Sequence, residues 1–393
     1  MKKTYKYRLY PTNKQQKILN AWLALCCEAY NAALDERKSA YRMAGKSISY
    51  AQQCAELPDC KQARPELAEV NSQVLQNVVK RVDLAFEAFF RRVKKGQNPG
   101  YPRFKSRFRY DSLTFKQYGN SFEVKTGTKH KGTLILSKLG HVQMVMHRPL
   151  SGTPKTAIVN RTPTGKWFVS ITCEEIEPEQ VPASSEQVGI DVGLKTFAYL
   201  STGEQIDNPR FFREEEHALA KAQRRLSQEK KGTKERAERR KVVARVHERV
   251  VWRRENFINQ QVAWLIKRFE LIAVEALVVR NMVKNPKVAK SIADAAWSMF
   301  FALLLSKAEE AGRTVVQVNP AYTSQTCSAC GHRQEMPLSV RVYECPVCGL
   351  VLDRDHNGSK NILAEAVGRH GRVIPEAPGL EPGGVVTSQS SAA

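Results

Sequence analysis

Apolar positions recur along this chain with two different periods, and the switches between them divide it. Residues 4–10, Thr-Tyr-Lys-Tyr-Arg-Leu-Tyr, read as a short strand that Pro11 ends. Thr12-Asn13-Lys14-Gln15 has the form of a capping box and opens a helix, along which Ile18, Leu19, Trp22, Leu23, Cys26, Tyr30 and Ala33 follow at helical spacing. Ser72 begins a second strong helix, with Val74, Val78, Val82, Ala85, Phe86, Phe89 and Val93 on one face. Residues 11–95 are therefore expected to be mostly helical, up to the Gly/Pro turn at Gln97-Asn98-Pro99-Gly100-Tyr101-Pro102.

From about 112 to 174 the period becomes two. Phe122/Val124, Leu134/Leu136, Val142/Met144/Met146 and Trp167/Val169/Ile171/Cys173 alternate with polar residues, and turns such as Gly119-Asn120 and Thr164-Gly165 separate them. A small β-barrel or sandwich is expected here, with the strand before Pro11 joining it across the helical insert. The acidic, Pro/Ser-rich stretch 174–186 reads as a linker. An α/β segment follows, with strands near 187–192, 195–201, 271–275 and 314–318. A long helical stretch from about 212 to 268 should break near Gly232, and another helix should run from Gly358 to Val367. The pattern predicts four parts: a small β-barrel or sandwich from 1–10 and 106–180, a helical domain at 11–105, an α/β domain at 181–372, and a Pro/Gly/Ser-rich disordered tail at 373–393.

Charge changes this picture. With 62 Lys plus Arg against 39 Asp plus Glu, the formal net charge is +23. Such an excess favours a polyanionic partner, because each phosphate neutralised releases condensed counterions. A basic ribosomal or membrane-surface protein would carry the same excess, so charge alone names no activity. No apolar stretch follows the cationic Met1–Lys6, so no signal peptide is expected. Ala295–Leu305, eleven residues interrupted by Ser298, is too short to span a bilayer. A cytoplasmic protein without a membrane partner is expected.

Four of the nine cysteines form two C-x-x-C units, Cys327/Cys330 and Cys345/Cys348, with fourteen residues between them and a Gly after each. Each unit is a knuckle whose glycine lets the backbone turn beneath a metal. Four thiolates make a closed, structural Zn²⁺ site rather than a catalytic one. The ribbon is expected at 322–352, with His332 and His356 as bystanders. The other five cysteines show no disulfide framework, which fits a reducing compartment.

Carboxylates interrupt otherwise apolar strands at two places, Asp191 in Gln187–Leu200 and Glu275 in Leu271–Val279. A third acidic group, Asp353-Arg354-Asp355-His356-Asn357, follows the ribbon immediately. One buried acid in a strand is usually a paired structural ion. Converging carboxylates instead bind hard cations through oxygen, and two such ions held by shared carboxylates can activate a water and stabilise the leaving oxygen of a phosphodiester.

These motifs, in this order, resemble the TnpB (OrfB) proteins of bacterial insertion sequences, relatives of the type V CRISPR effector nucleases. Tyr5–Pro11 resembles the family's N-terminal signature, and Gly189-Ile-Asp191-Val-Gly193 its first RuvC motif. Val274-Glu275-Ala-Leu with Asn281-Met282 resembles the second. Thr323–Cys327 through Cys348-Gly349, then Asp353–Asn357 and Asn361-Ile-Leu363, resembles the ribbon and third motif. The resemblance covers nearly the whole chain. It implies an RNase H-like (RuvC) catalytic domain, a helical recognition domain, a wedge-like β-barrel and a zinc ribbon. It further implies an RNA-guided DNA endonuclease that uses a guide RNA from the element, a double-stranded DNA target beside a short flanking motif, and Mg²⁺ (two ions, or Mn²⁺). Asp191, Glu275 and Asp355 carry over as the catalytic acids. Asp355 is preferred to Asp353 because the family's D-x-N form falls on Asp355-His-Asn357. A guide-independent RuvC-like nuclease or transposase, and a zinc-ribbon DNA-binding regulator, are the alternatives.

Three surfaces are candidates for nucleic acid. Arg103, Phe104, Lys105 and Arg107 interleave cations with aromatics, which suits phosphate contacts with stacking; a solvated basic loop is the plainer reading. Residues 219–254 hold fourteen Lys and Arg, among them Arg224, Arg225, Arg239 and Arg240, and are expected to line a heteroduplex or single-strand channel. Gln73, Gln76, Asn77 and Lys80 mark the polar side of the Ser72 helix, with Tyr50 beside them in the same role. Gln and Asn there could read adenine, although a plain solvated face is the better reading of them.

Overall fold

The structure, a computed structural model, describes residues 1–178, 181–337 and 340–370. The segment expected to form a disordered tail, 373–393, lies outside them. The chain divides into two compact units, one of residues 1–177 and 222–248, the other of 178–221 and 249 onward.

In the first unit, β1 (Lys3–Tyr10) leads into α1 (Asn13–Ala44). The capping box forms as read: the Thr12 side chain accepts from the Gln15 amide, and the Gln15 side chain accepts from the Thr12 amide. Gly45, at φ 63°, ends the helix, a left-handed cap that glycine adopts without a Cβ penalty. Short helices α2 (Tyr50–Ala55) and α3 (Leu57–Ala63) and a 3-10 turn precede α4 (Ser72–Lys94). Val74, Val78 and Val82 are buried as the pattern predicts, but Val93 is exposed. Phe86 still packs against the core, and it and Phe89 also meet the ring of Tyr101.

Six more strands follow: β2 (Ser112–Lys116), β3 (Phe122–Thr126), β4 (Lys131–Leu136), β5 (Gly140–Val145), β6 (Thr153–Arg161) and β7 (Trp167–Glu174). With β1 they form one antiparallel sheet in the order β2-β6-β7-β1-β5-β4-β3, so the N-terminal strand sits at its centre. Tyr5, Tyr7 and Leu9 point inward with Val169, Ile171 and Cys173, and share one core with Trp22, Leu23 and Val78 of the helices. The strand before Pro11 thus joins the sheet across the helical insert, as expected. β2 and β3 end the hydrogen-bonded order.

The second unit is built on β8 (Gln187–Val192), β9 (Thr196–Leu200) and β10 (Gln205–Asp207), a meander whose last short strand the pattern did not reveal. The helices α5 (Phe211–Gln228) and α6 (Lys234–Arg268), whose stretch 222–248 belongs to the first unit, are separated at Gly232, φ 92°, as expected. Then come β11 (Leu271–Glu275), α7 (Val279–Met282), α8 (Pro286–Ala295), α9 (Trp297–Ala311) and β12 (Thr314–Val318). β8, β11 and β12 are mutually parallel, and the sheet order is β10-β9-β8-β11-β12. Among the described residues, Pro286–Ala311 is long and apolar enough to cross a membrane. Ala296, at φ 56°, breaks it into α8 and α9, which bury Ile292, Trp297, Phe300 and Leu304 in this unit's core. The β13 (Val342–Glu344) and β14 (Val351–Asp353) hairpin carries the second C-x-x-C, and α10 (Arg354–His370) follows directly. This last helix starts four residues earlier than its apolar pattern indicated.

α10 covers one face of β8 and β11. Leu271, Ala273 and Val318 meet Ile362 and Ala366 there, while Ile272 and Val274 face the larger core on the other side. Burial on both faces explains why β11 is a continuous apolar run rather than an alternation. The helix approaches β8 so closely that a Cβ on Gly189 would lie 2.1 Å from the Ser359 carbonyl oxygen and 2.7 Å from the Leu363 nitrogen. Both are backbone atoms and cannot swing aside. Gly189→Ala should therefore cost about 2 kcal/mol or more, the range for overpacking a tight core. Denaturant unfolding should show a lowered midpoint; an unchanged midpoint would mean that α10 does not pack on β8 this tightly.

Candidate active site and metal centre

Strand period and register assemble the carboxylates. In β8 the residues on Gly189's face include Asp191, and in β11 the residues on Ala273's face include Glu275. Gly189 pairs with Ala273 and Ile190 with Val274, so the same register carries Asp191 opposite Glu275 on the adjacent strand, both on the face that α10 covers. Asp191 lies over Gly358 of α10, where a Cβ would come within 2.8 Å of its Oδ2. Asp355 sits one turn earlier on the same helix, its Oδ2 3.6 Å from where a Gly193 Cβ would be. The three acids are thus gathered from β8, β11 and the first turn of α10. Their oxygens are not all within 4.8 Å of one another; among the described residues, that closeness is met only by the four cysteines.

Electrostatics mark the same three groups. Burial pushes the Asp191 carboxyl well above the usual range, and Glu275 and Asp355 raise it further. Burial raises Glu275 too, against the hydrogen bond from Thr323, and Asp355 adds to the rise. Burial raises Asp355, as does Asp353, with Arg341, Arg354 and Lys195 opposing. The nearest cation, Arg341, is 3.7 Å from Asp355 Oδ2 and half exposed. Desolvated like charges of this kind favour either protonation or a bound cation.

Asp353 does something else. Its Oδ1 accepts from the amides of Asp355, at 2.8 Å, and His356, at 3.4 Å. It caps the first turn of α10 while its own side chain stays exposed. The structure therefore separates the two acids that sequence left adjacent.

In the ribbon, the Sγ atoms of Cys327, Cys330, Cys345 and Cys348 lie within 4.8 Å of one another, with Cys327–Cys348 and Cys330–Cys345 at 3.6 Å. A tetrahedral ion with metal–sulfur bonds of ~2.3 Å needs sulfurs about 3.8 Å apart. The backbone amides of Cys348 and Val347 hold the Cys345 thiol down to about 6, whereas the Cys348 thiol, against the hydrogen bond from the Leu350 amide, is pushed up to about 12 by Cys330, Cys345 and Cys327 around it. Neither His332 nor His356 joins this set: His356 stacks on Tyr199 with ring centres 5.2 Å apart.

The candidate nucleic-acid residues fare unevenly. Lys80 is paired with Asp83 at 2.6 Å and Glu87 at 3.1 Å and lies over the Tyr50 ring, and Asn77 accepts from Arg81. Gln73 donates to Gln117, which leaves Gln76 exposed. Lys105 turns inward over Tyr30 and Tyr110, where burial lowers its pKa, and Asn31 pins its backbone. This inward turn sets it apart from the exposed Arg103 and Phe104; Arg107, also exposed, pairs with Glu28. Arg224, Arg225, Arg239 and Arg240 are all exposed; Arg239 pairs with Glu229, and Arg240 lies over the Phe108 ring at 5.1 Å. Sequence reasoning missed a cavity of 610 Å³ beside β9, lined by Lys195, Arg210, Arg213 and Asp294. The signal lay in three cations scattered over nineteen residues, and only the β9–β10 hairpin brings them together.

An α/β sheet with clustered carboxylates at its strand ends, followed by a four-thiolate ribbon that feeds the third acid, defines the class. A family model for IS605-type OrfB transposases matches residues 170–286, and a Cas12f1-like TNB domain model matches 297–362. A relative from Streptomyces pristinaespiralis, named as an RNA-guided DNA endonuclease, is 37% identical, over 93% of this chain and 89% of its own length. InsQ of Escherichia coli (strain K12), named likewise, is 29% identical, over 92% and 91%. The chain belongs to the TnpB (OrfB) family. A solved complex of Cas12f1 with sgRNA and target DNA superposes with a TM-score of 0.59 at 14% identity, over 92% of this chain and 98% of that one. A helix-turn-helix model of the same family matches residues 1–46. Here those residues form a strand and a single unbroken helix of 32 residues.

Two outcomes test this geometry. Asp353→Ala should lower stability by about 1 kcal/mol through loss of the cap, and Asp353→Asn should restore most of it; equal losses in both would reject the capping role. Because the carboxyls of Asp191, Glu275 and Asp355 are raised on folding, metal-free protein should lose stability as pH rises above ~4, where the unfolded carboxylates ionise. Asp191→Asn should flatten that loss and raise the metal-free Tm at pH 8, as thermal melts across pH would show. A lower Tm in Asp191→Asn would contradict an unneutralised cluster.

Proposed function

We propose that this protein is an RNA-guided DNA endonuclease of a transposable element, cutting target DNA at a single RuvC-type site formed by Asp191, Glu275 and Asp355. The observation that carries this reading is the β8–β11 register, which sets Asp191 opposite Glu275 beneath the helix that bears Asp355. The β10-β9-β8-β11-β12 order, antiparallel through the first three strands and parallel through the last three, supports an RNase H-like domain. The names of the two relatives, and the nucleic acids in the Cas12f1 complex, support guide RNA and double-stranded target DNA as partners.

The residues fit a divalent-cation centre, since burial and mutual repulsion raise all three acids and Arg341, Arg354 and Lys195 oppose this only in part. Asp191, Glu275 and Asp355 would hold Mg²⁺, two ions or Mn²⁺ in its place. Such ions supply an activated water and stabilise the leaving oxygen of the phosphodiester. The chain's own part is to hold three carboxylates on rigid elements: two strand ends and a capped helix start. The four cysteines would hold one structural Zn²⁺, fixing the hairpin from which α10 springs. We read the strands of 1–10 and 106–180 as a wedge-like barrel and residues 11–105 as the recognition helices. The exposed arginines of 219–254, and the three cations around the cavity beside β9, are the surfaces best suited to phosphates. Substitution of the acids, and not the presence of the fold, separates this reading from a non-cutting regulator.

Asp191→Ala, Glu275→Ala and Asp355→Ala should each reduce Mg²⁺-dependent cleavage of a guide-matched plasmid by at least ~10³-fold, while gel shifts with guide RNA and target stay near wild type. The three losses should not add, since they remove one centre. Retained cutting in both Asp191→Ala and Glu275→Ala would reject the site.

A further inference from the structure

We propose that Thr323 is a positioning residue for Glu275, holding its carboxylate in one orientation and tying that orientation to the four-cysteine ribbon. This rests on the reading of Glu275 as a cation ligand. Thr323 is buried, and its Oγ1 donates to Glu275 Oε1 at 2.6 Å. A second acceptor, the Pro320 carbonyl, is farther, at 3.2 Å. A hydroxyl has one proton to give, and the shorter, charge-assisted bond to the carboxylate takes it. Glu275 is the last residue of β11, so its backbone is fixed by the sheet while its side chain has rotamers to choose from. The charged neighbours that act on it, Asp355 and Glu365, repel it. The Thr323 hydroxyl therefore supplies a directed attraction on a side chain otherwise set by repulsion. It engages Oε1 and leaves Oε2 to face a cation.

What holds Thr323 is equally specific. Asn361 Nδ2 donates to the carbonyls of Thr323 and Thr326, at 2.8 and 2.6 Å. Asn357, one turn earlier on α10 and fully buried, donates to the Thr326 carbonyl at 2.7 Å and accepts from the Ser328 amide at 2.8 Å. The next residue along, Cys327, closes the first knuckle through its amide to the His332 carbonyl. Two amide side chains at i and i+4 of one helix thus clamp residues 323–328. That helix also carries Asp355, and the clamped segment carries both the first thiolate and the hydroxyl on Glu275. Any slack in the ribbon would reach Glu275 through two hydrogen bonds, without a change at either strand.

Thr323→Val removes the hydroxyl and keeps the shape; Thr323→Ser keeps the hydroxyl. In guide-loaded protein, Thr323→Val should raise the Mg²⁺ concentration for half-maximal cleavage, or lower the rate at saturating Mg²⁺, by roughly 10–100-fold, the range for partners of metal ligands. Thr323→Ser should stay within about threefold of wild type on the same reasoning. Zinc content and target gel shift should be unchanged in both, and Tm in Thr323→Val should fall by no more than one lost hydrogen bond accounts for. Wild-type rate and Mg²⁺ dependence in Thr323→Val would overturn the proposal. So would a loss shared by Thr323→Ser, or one accompanied by lost zinc, since these mark a merely structural hydroxyl. Glu275→Gln in the same assay separates the two readings. Full activity there would reject Glu275 as a ligand, whereas an inactive Glu275→Gln beside a normal Thr323→Val would reject only the role of Thr323.

Discussion

The contact between α10 and β8 is the constraint on which the second unit depends. Two glycines make it possible: Gly189 on the strand faces the helix backbone, and Gly358 on the helix faces the Asp191 carboxylate. With a side chain at either place, the helix would stand off the sheet, and Asp355 and Asp191 would part. The same closeness has a cost. It strips water from charged groups, which is why all three carboxyls are raised by burial before any neighbour is counted. A site of this kind is destabilised on its own and relieved by a cation, so its geometry has to be imposed by the surrounding fold.

That imposition comes from three sides. The parallel register of β8 and β11 sets two acids side by side. Asp353 caps the start of α10 and so fixes where the third emerges. Asn357 and Asn361 lash the helix to the segment leading into the ribbon. None of these devices touches solvent chemistry directly, yet each sets the position of a group that could.

Much of this was legible in the chain before any coordinates. The spacing of the cysteines foretold the four-sulfur cluster, because a C-x-x-C knuckle is a local structure and two of them need only meet. The acids in β8 and β11 stood out because a charge inside an apolar run demands an explanation. A strand ended by Pro11 was legible, but nothing local could say which strands it pairs with or that it lies at the centre of the sheet. Other features were silent for physical reasons. The start of α10 was missed because Asp353-Arg354-Asp355 has no apolar periodicity; a cap, and not a hydrophobic stripe, begins that helix. The reason for Gly189 depends on a helix more than 160 residues away. Lys80 and Lys105 looked like free cations in the sequence, and only the fold shows one spent on Asp83 and Glu87 and the other turned onto two rings. The arginines of 219–254 remain legible only as a charged surface.

The central place of β1 bears on how the first unit folds. Lys3 pairs with Cys173, and Arg8 with both Phe168 and Val145, so the strand made first finds neither partner until those distant strands exist. Helices α1 and α4 can form early from local contacts, but the sheet against which they bury Trp22 and Val78 closes last. High contact order of this kind slows folding, since a long loop must be closed before any pairing repays its entropy.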